Sequence, residues 1–87
     1  MSLELFANDK YFILKLLKEN QITIKNETYI SLSQQEIADL AKKSKLKTNR
    51  VLNELIENKY LVSTARGKYS ITDKGLKVIE VISNINI

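Results

Sequence analysis

Apolar residues recur at helical spacing in four stretches of the chain. In the first, residues 8 to 20, a broad apolar face follows a capping residue, Asn8 or Asp9. Its apolar residues are Tyr11, Phe12, Leu14, Leu16 and Leu17. Two further stretches lie within residues 33 to 59, and the last covers about residues 73 to 85. The pattern therefore predicts four helices.

Two stretches between these helices are rich in β-branched residues. Residues 22 to 32 carry Asn26-Glu27 at their middle and predict a short strand or hairpin. Residues 60 to 72 contain two such runs around Arg66-Gly67, where glycine can adopt the positive φ that a tight turn needs. This second stretch predicts a hairpin with its tip at residues 65 to 68.

Capping residues divide the central helical region into two short helices. Ser33 begins the sequence SQQE, in which the serine and Glu36 have the spacing of a capping box. Ser44 caps the following helix, and Thr72 caps the last one. The apolar stripes of the two central helices comprise Ile37, Ala38, Leu40 and Ala41, then Val51, Leu52, Leu55 and Ile56. The predicted order is helix, strand, helix, helix, hairpin, helix.

Charge is unevenly distributed along the chain. Residues 1 to 40 contain four lysines against six acids, a net charge of −2. Residues 41 to 77 contain ten cations against three acids, a net charge of +7. An AT-rich genome would spread lysine evenly, so the composition of the genome does not explain this segregation. A concentrated positive charge is what binding to a polyanion requires.

The chain has no cysteine and no histidine. Disulfides, thiolate zinc sites and cysteine nucleophiles are thereby excluded, and the commonest general base and metal ligand is missing. We therefore expect no enzyme activity, no catalytic residue, no cofactor and no metal ion. A membrane-spanning helix needs about 20 consecutive apolar residues, and no apolar run in this sequence is close to that length. The sequence also shows no apolar core of a signal peptide. A cytoplasmic protein without membrane contact is expected.

The helix at residues 44 to 59 has a basic, amide-rich outer face. Five residues on this face are candidates for DNA contact: Lys45, Lys47, Asn49, Arg50 and Asn53. Lysine and arginine neutralise phosphates, arginine also pairs with guanine, and asparagine pairs with adenine. Most such charge runs are merely solvated helix faces. Here the helix follows a capped, abutting helix and precedes a basic hairpin, which favours a helix-turn-helix that binds double-stranded DNA.

Residues 36 to 62 resemble the helix-turn-helix of bacterial winged-helix proteins. The shared features are an E-[IL]-A start, a serine cap, an N-R pair and an E-L-x-E-x-x-Y-[IL] exit, found here in EIADLAKKSKLKTNRVLNELIENKYLV. The segment YSITDKGLKVI resembles the second wing strand and following helix of MarR-like and PadR-like regulators, whose pattern is Y-x-[LI]-T-x-x-G. These two segments lie between residues 36 and 79 of the chain.

The resemblance implies a winged helix-turn-helix, mainly α with a small β-sheet. Residues 1 to 87 would form one DNA-binding domain, with the helix-turn-helix at about 33 to 59, the wing at about 60 to 72 and the C-terminal helix at about 73 to 85. The five candidates match the positions that face the major groove. Arg66 and Lys68 match the wing tip, which would touch the DNA backbone or minor groove.

Two positions depart from the family pattern. Lys42-Lys43 stands where the family usually has a glycine and a core aliphatic residue, so Leu46 is expected to supply the missing core contact. Lys59 replaces the usual glycine at the exit of the recognition helix, which predicts an altered helix end or a strained residue. Gly75, early in the last helix, is expected to allow close packing against the wing.

The last helix carries apolar residues over a wide arc. With about 100° of rotation per residue, these apolar residues cover an arc of about 160° around the helix axis. A helix that packs on one core needs an apolar stripe only about 100° wide. These residues are Val78, Ile79, Val81, Ile82 and Ile85. We expect a homodimer through the first and last helices, with the two recognition helices about 34 Å apart on DNA. The alternative is a winged-helix module that docks a protein partner through this helix.

A second resemblance concerns the run from Tyr11 to Tyr60. With its strand insert before SQQEIA, this run also looks like the N-terminal domains of plasmid and phage replication initiators, which are winged-helix DNA binders. The leading hypothesis remains a sequence-specific transcriptional regulator.

Overall fold

The computed structural model describes residues 9 to 85. Its elements are α1 Asp9–Glu19, β1 Ile22–Ile24, β2 Glu27–Ser31, α2 Gln34–Ala41, α3 Lys45–Glu57, β3 Leu61–Ala65, β4 Lys68–Ile71 and α4 Asp73–Ile85. The four predicted helices and the second hairpin are confirmed. The proposed cap at Asn8 lies outside the described residues. None of the helices in this range is long and apolar enough to cross a membrane.

Side-chain caps begin three helices at the predicted residues. Ser33 Oγ accepts the amide N–H of Glu36 at 3.1 Å, and a Glu36 carboxylate oxygen accepts the N–H of Ser33 at 2.8 Å, which completes the capping box. The hydroxyls of Ser44 and Thr72 each accept the amide of the third helical residue at 3.1 Å. Each cap satisfies an amide that the first turn leaves unpaired, so these starts follow from local sequence.

Two lysines end α2 and α3 in the left-handed backbone conformation. The φ angles are 56° at Lys42 and 66° at Lys59. The residue after each lysine donates its N–H to the carbonyl five positions earlier, at 3.1 Å and 2.9 Å, which is the Schellman arrangement. Glycine usually occupies such positions because a Cβ is strained there. The strained residue predicted at Lys59 is therefore confirmed.

Two hairpins form one antiparallel sheet in the order β1-β2-β4-β3. The element expected as a strand in the predicted order is a hairpin, because Lys25 and Asn26 both take positive φ, 51° and 66°, as a two-residue type I′ turn requires. This turn lies one residue earlier than Asn26-Glu27. The second hairpin turns at Gly67, with φ 72°, as predicted.

Pairing between β2 and β4 joins the first hairpin to the wing. Ile30 lies opposite Tyr69, and Ser31 lies opposite Lys68. Directly opposed residues share a face of the sheet, so Ile30 and Tyr69 both point into the core. The wing is thus continuous with a four-stranded sheet rather than an isolated ribbon.

A single hydrophobic core lies between the sheet and the helices. Its buried residues are Ile13, Leu14, Leu17, Ile30, Ile37, Ala41, Val51, Leu52, Leu55, Leu61, Tyr69, Ile79 and Ile82. The predicted burial of Phe12 and Leu40 is wrong, since both are about half exposed. On α1 the core face is centred on Ile13, Leu14 and Leu17, and Phe12 lies to one side of it.

Gly75 brings α4 against the base of the wing. A Cβ at this position would collide with the carbonyl oxygen of Tyr60 and lie 2.8 Å from Cγ2 of Ile71. These atoms come from the residue before β3 and the last residue of β4, so the helix packs directly on the wing. With α2 and α3 as the helix pair, the chain is an α+β winged helix-turn-helix, as predicted.

Candidate nucleic-acid interface

Four residues share the outward side of α3 as far as Asn53, and the exposed acid Glu57 continues that side into the last turn. At about 100° per residue, positions three, four and seven apart lie on one side of a helix. The four, which we call the outer ridge, are Leu46, Asn49, Arg50 and Asn53. The opposite side carries the buried residues Thr48, Val51, Leu52 and Leu55. The outer ridge lines a shallow hollow of about 520 Å³ together with Ser44 and Lys47.

The polar residues of the outer ridge differ in exposure. Arg50 and Asn53 are exposed, so their donors reach the surface. Asn49 is half-buried, and among the described residues nothing hydrogen-bonds its buried amide oxygen. A buried acceptor without a partner is costly.

Lys47 is held beside the outer ridge by an acid from α1. Its ammonium lies 2.9 Å from one carboxylate oxygen of Asp9, and the Lys43 ammonium lies 3.0 Å from the other. Hydrogen bonds from Lys47, and then from Lys43, hold the pKa of Asp9 below its usual value of 3.8. Nothing in the local sequence around Lys47 indicates this pairing, because Asp9 belongs to a different helix.

The wing tip and the start of α3 share a second groove. This groove, of about 410 Å³, is lined by Arg66 and Gly67 of the wing, Lys45 of α3, and residues at the start of α2 including Gln34 and Gln35. Arg66 and Lys45 are both exposed. The fold therefore brings a cation of the wing to the same groove as a cation of α3, and it adds two glutamines that sequence analysis did not select.

Lys68 takes a different position from Arg66. It is the first residue of β4 and is half-buried, with its ammonium 4.4 Å from the centroid of the Tyr29 ring. Such a contact between a cation and an aromatic face is attractive. Lys68 thus lies over β2 on the sheet rather than extending from the hairpin tip.

The expected core contact of Leu46 is wrong. Leu46 is the second residue of α3, and 83% of its side chain is exposed. Lys43, which stands at the departing position, has a side chain that is only 22% exposed, and its ammonium lies 5.7 Å from the centroid of the Phe12 ring. The aliphatic stem of a lysine can cover apolar surface while its charge stays in contact with water. Helical spacing with Asn49, Arg50 and Asn53 would have placed Leu46 outward.

Most of the described apolar side chains of α4 are buried or half-buried within this chain. Ile79 and Ile82 are buried and Val78 is half-buried, whereas Val81 is exposed. The Tyr11 hydroxyl and the Ser83 hydroxyl lie 3.0 Å apart, which connects α1 to α4. The side chain of Ile85 lies outside the described residues. The homodimer through α1 and α4 stays a prediction.

Solved structures with a similar fold include two transcriptional regulators and a CO-sensing protein. A CO-sensing protein from R. rubrum, in its reduced Fe(II) form, aligns over 88% of this chain with a TM-score of 0.74 and 23% identity. Two transcriptional regulators from Thermus thermophilus, of the CRP/FNR and CRP families, align over 84% and 90% of this chain. Their TM-scores are 0.69 and 0.63, and their identities are 22% and 17%.

These similarities concern the fold. The alignments cover 38%, 41% and 44% of the three proteins, so this chain spans less than half of their length. No protein-family model matches the chain, and no curated protein matches it in sequence. The winged-helix resemblance is confirmed at the level of fold, and the resemblance to MarR-like and PadR-like regulators stays a prediction.

Proposed function

We propose that this chain is a transcriptional regulator that binds double-stranded DNA sequence-specifically, as a single domain over residues 1 to 87. The proposal rests on the outer ridge, where Arg50, Asn49 and Asn53 share the outward side of a capped helix in a winged helix-turn-helix. Arginine and asparagine are the side chains that pair most specifically with guanine and adenine in the major groove. Solved regulators with the same fold support this assignment.

The other candidate residues differ in the part of the DNA that they can contact. Lys45 and Lys47 flank the outer ridge and would neutralise phosphates on either side of the groove. Arg66 is exposed at the wing tip, beside the groove that contains Lys45, and would contact the backbone or the minor groove. Lys68 would have to leave the Tyr29 ring to do the same, so we expect its contribution to be smaller than that of Arg66.

The first experiment selects bound fragments from a random duplex pool and measures their affinity by fluorescence anisotropy. With about six phosphate contacts, affinity should fall about a thousandfold between 50 and 200 mM salt. Arg50→Ala should weaken binding to the selected duplex by about 1 to 3 kcal/mol and to random duplex by much less. Lys15→Ala, which removes one exposed cation from α1, is the charge-matched control and should change both affinities equally.

Two results would contradict the proposal. Equal losses for Arg50→Ala on selected and random duplex would leave a nonspecific DNA binder. A flat titration at low salt would exclude DNA binding altogether, because the electrostatic contribution is largest under that condition.

A protein-interaction module is the second candidate, and one surface of the structure favours it. Ile22, Ile24 and Val62 are exposed, and the strand pairing puts them on the same outer face of the sheet. Ile22 and Ile24 belong to one edge strand, β1, and Val62 belongs to the opposite edge strand, β3; exposed apolar side chains of this kind suit contact with another protein. A flat DNA titration would favour this candidate over the first.

A plasmid or phage replication initiator is the alternative within the DNA-binding class. The β1-β2 hairpin ahead of α2 is the structural counterpart of the insert on which that resemblance depends. Such a domain would present the same outer ridge to DNA, so the sequence recovered in the selection distinguishes the two roles by where it occurs in a genome.

We further propose a homodimer through α1 and α4. Val81 is exposed on α4, and a hydrogen bond between the hydroxyls of Tyr11 and Ser83 joins α4 to α1. A dimer should appear in sedimentation equilibrium, and Val81→Glu should shift it to monomer by placing a charge in the interface. A monomer at all concentrations would contradict this arrangement.

A further inference from the structure

Leu46 is an apolar residue in an otherwise polar surface. Leu46 is 83% exposed, more than any other large hydrophobic residue within residues 9 to 84; the next, Ile24, is 50% exposed. Burial of a leucine is favourable, so leaving it in water forgoes a stabilising contribution. Because it is exposed, the Leu46 side chain contributes little to the stability of this fold.

The outer ridge places Leu46 where bases would lie. It precedes Asn49, Arg50 and Asn53 by three, four and seven positions, so all four side chains align along one side of α3. Leu46 also belongs to the first turn of the helix, and in helix-turn-helix proteins the N-terminal residues of the recognition helix contact base edges. The hollow it lines is shared with these polar residues.

We propose that Leu46 is a specificity-determining residue that contacts the 5-methyl group of a thymine in the major groove. This inference rests on the proposed function. The thymine methyl is the apolar group that base pairs present in that groove, whereas the other edges offer hydrogen-bond donors and acceptors. Leucine has neither a donor nor an acceptor in its side chain, so pressing it on a polar base edge leaves that edge unpaired.

The surroundings of Leu46 favour a nucleic acid over a protein partner. Its ridge neighbours are an arginine and two asparagines, and lysines flank the ridge on both sides. Residues 41 to 77, which contain α3, carry the net charge of +7. A protein partner that buried Leu46 would also have to desolvate these polar groups, whereas base edges supply matching donors and acceptors.

The test removes the methyl group and leaves the rest of the base pair intact. Duplexes recovered by selection with the full chain are resynthesised with deoxyuridine in place of one thymine at a time, and affinity is measured by fluorescence anisotropy. At one thymine position in each half-site, the exchange should lower the affinity about fourfold. This is the ratio expected when the burial of about one methyl-sized group is lost. The remaining thymines should show no loss at all.

Leu46→Ala completes a double-mutant cycle. This variant should bind the thymine duplex more weakly and should no longer distinguish thymine from deoxyuridine at the sensitive position. Folding is not at issue, because the side chain is exposed and alanine favours helix. Leu40→Ala, which truncates an exposed leucine of α2, is the matched control and should retain the full discrimination.

The outcomes separate this inference from the function on which it rests. Tight, selective duplex binding that ignores every deoxyuridine exchange overturns the role of Leu46 and leaves DNA binding standing. Leu46→Ala that still discriminates thymine from deoxyuridine overturns it as well. Failure to bind any duplex at low salt overturns the proposed function and the role of Leu46 together.

Discussion

The carboxylate of Asp9 lies 2.9 Å from the ammonium of Lys47 and thereby connects the start of α1 to the first turn of the recognition helix. The second carboxylate oxygen pairs with Lys43 at 3.0 Å. Asp9 and Lys47 remain 36% and 42% exposed, so DNA phosphates can compete with the acid for the lysine. One acidic side chain thus holds two cations next to the surface that we propose for DNA.

Replacing this acid should strengthen DNA binding. Asp9→Asn leaves Lys47 without its carboxylate and removes a negative charge near the DNA backbone. Affinity at low salt should rise by up to about fivefold, the upper end of what an exposed ion pair contributes. Glu19→Gln removes one exposed negative charge from the other end of α1 and is the control in the same anisotropy titration. If both variants bind equally well, only net charge matters, and the pairing with Lys47 has no role.

The same ion pairs should make stability depend on pH in acid. The pKa of Asp9 is lowered by hydrogen bonds from Lys47 and Lys43, so the charged carboxylate stabilises the folded chain above 3.8, its ordinary value. That stabilisation is lost as the pH falls through the lower folded-state pKa. Urea unfolding should show Asp9→Asn less stable than the parent chain near neutral pH, with the difference closing below 3.8. A difference that stays constant down to pH 2 would contradict this account.

Glycine at the two left-handed helix ends should stabilise the protein. Lys42 and Lys59 have φ angles of 56° and 66°, in the region where a Cβ costs about 1 to 2 kcal/mol. Part of the gain is offset because glycine loses more chain entropy on folding, so Lys42→Gly and Lys59→Gly should each add about 0.5 to 1 kcal/mol to the free energy of unfolding. Lys77→Gly, at an exposed interior position of α4, should instead lose about 1 kcal/mol. Losses in all three variants would show that the left-handed lysines are not strained.

Alanine at Gly75 should destabilise the contact between α4 and the wing. The new methyl group would meet the Tyr60 carbonyl and Ile71, and backbone atoms cannot move aside as a flexible side chain can. We expect a loss of about 1 to 3 kcal/mol in urea unfolding, although alanine is the better helix former. Lys77→Ala, made on the same helix where space is open, should be neutral or slightly stabilising. An unchanged midpoint for Gly75→Ala would contradict the close packing.

Local sequence was sufficient for the helix starts, the wing and the fold class. The capping hydrogen bonds of Ser33, Ser44 and Thr72 join atoms only three residues apart, so their spacing is visible in the chain. Gly67 supplies the positive φ of the wing turn for an equally local reason. The strained helix end at Lys59 was predicted because a non-glycine residue occupied a glycine position.

Errors arose where the environment of a side chain depends on distant elements. Leu46 is expected in the core because the aliphatic residue of the family pattern is absent before α3, but Leu46 is exposed, and Lys43 contacts Asp9 and Phe12 of α1. The contact of the Lys68 ammonium with the Tyr29 ring of β2 is likewise invisible in the sequence, and the role of Lys68 in DNA contact stays a prediction. Each of these outcomes requires knowing which element packs against which, and hydrophobic spacing along one element does not contain that information.

The amino-acid sequence by itself determined the elements, the polar outer face of α3 and the concentration of positive charge in residues 41 to 77. These properties depend on neighbours within one or two helical turns or on composition alone. Only the tertiary structure decided that β2 pairs with β4, that Asp9 holds Lys47, and that Leu46 stands on the outer ridge. The β2–β4 pairing and the ion pair between Asp9 and Lys47 join residues more than 30 positions apart in the sequence. Such contacts form only when the helices and the sheet have packed around a common core.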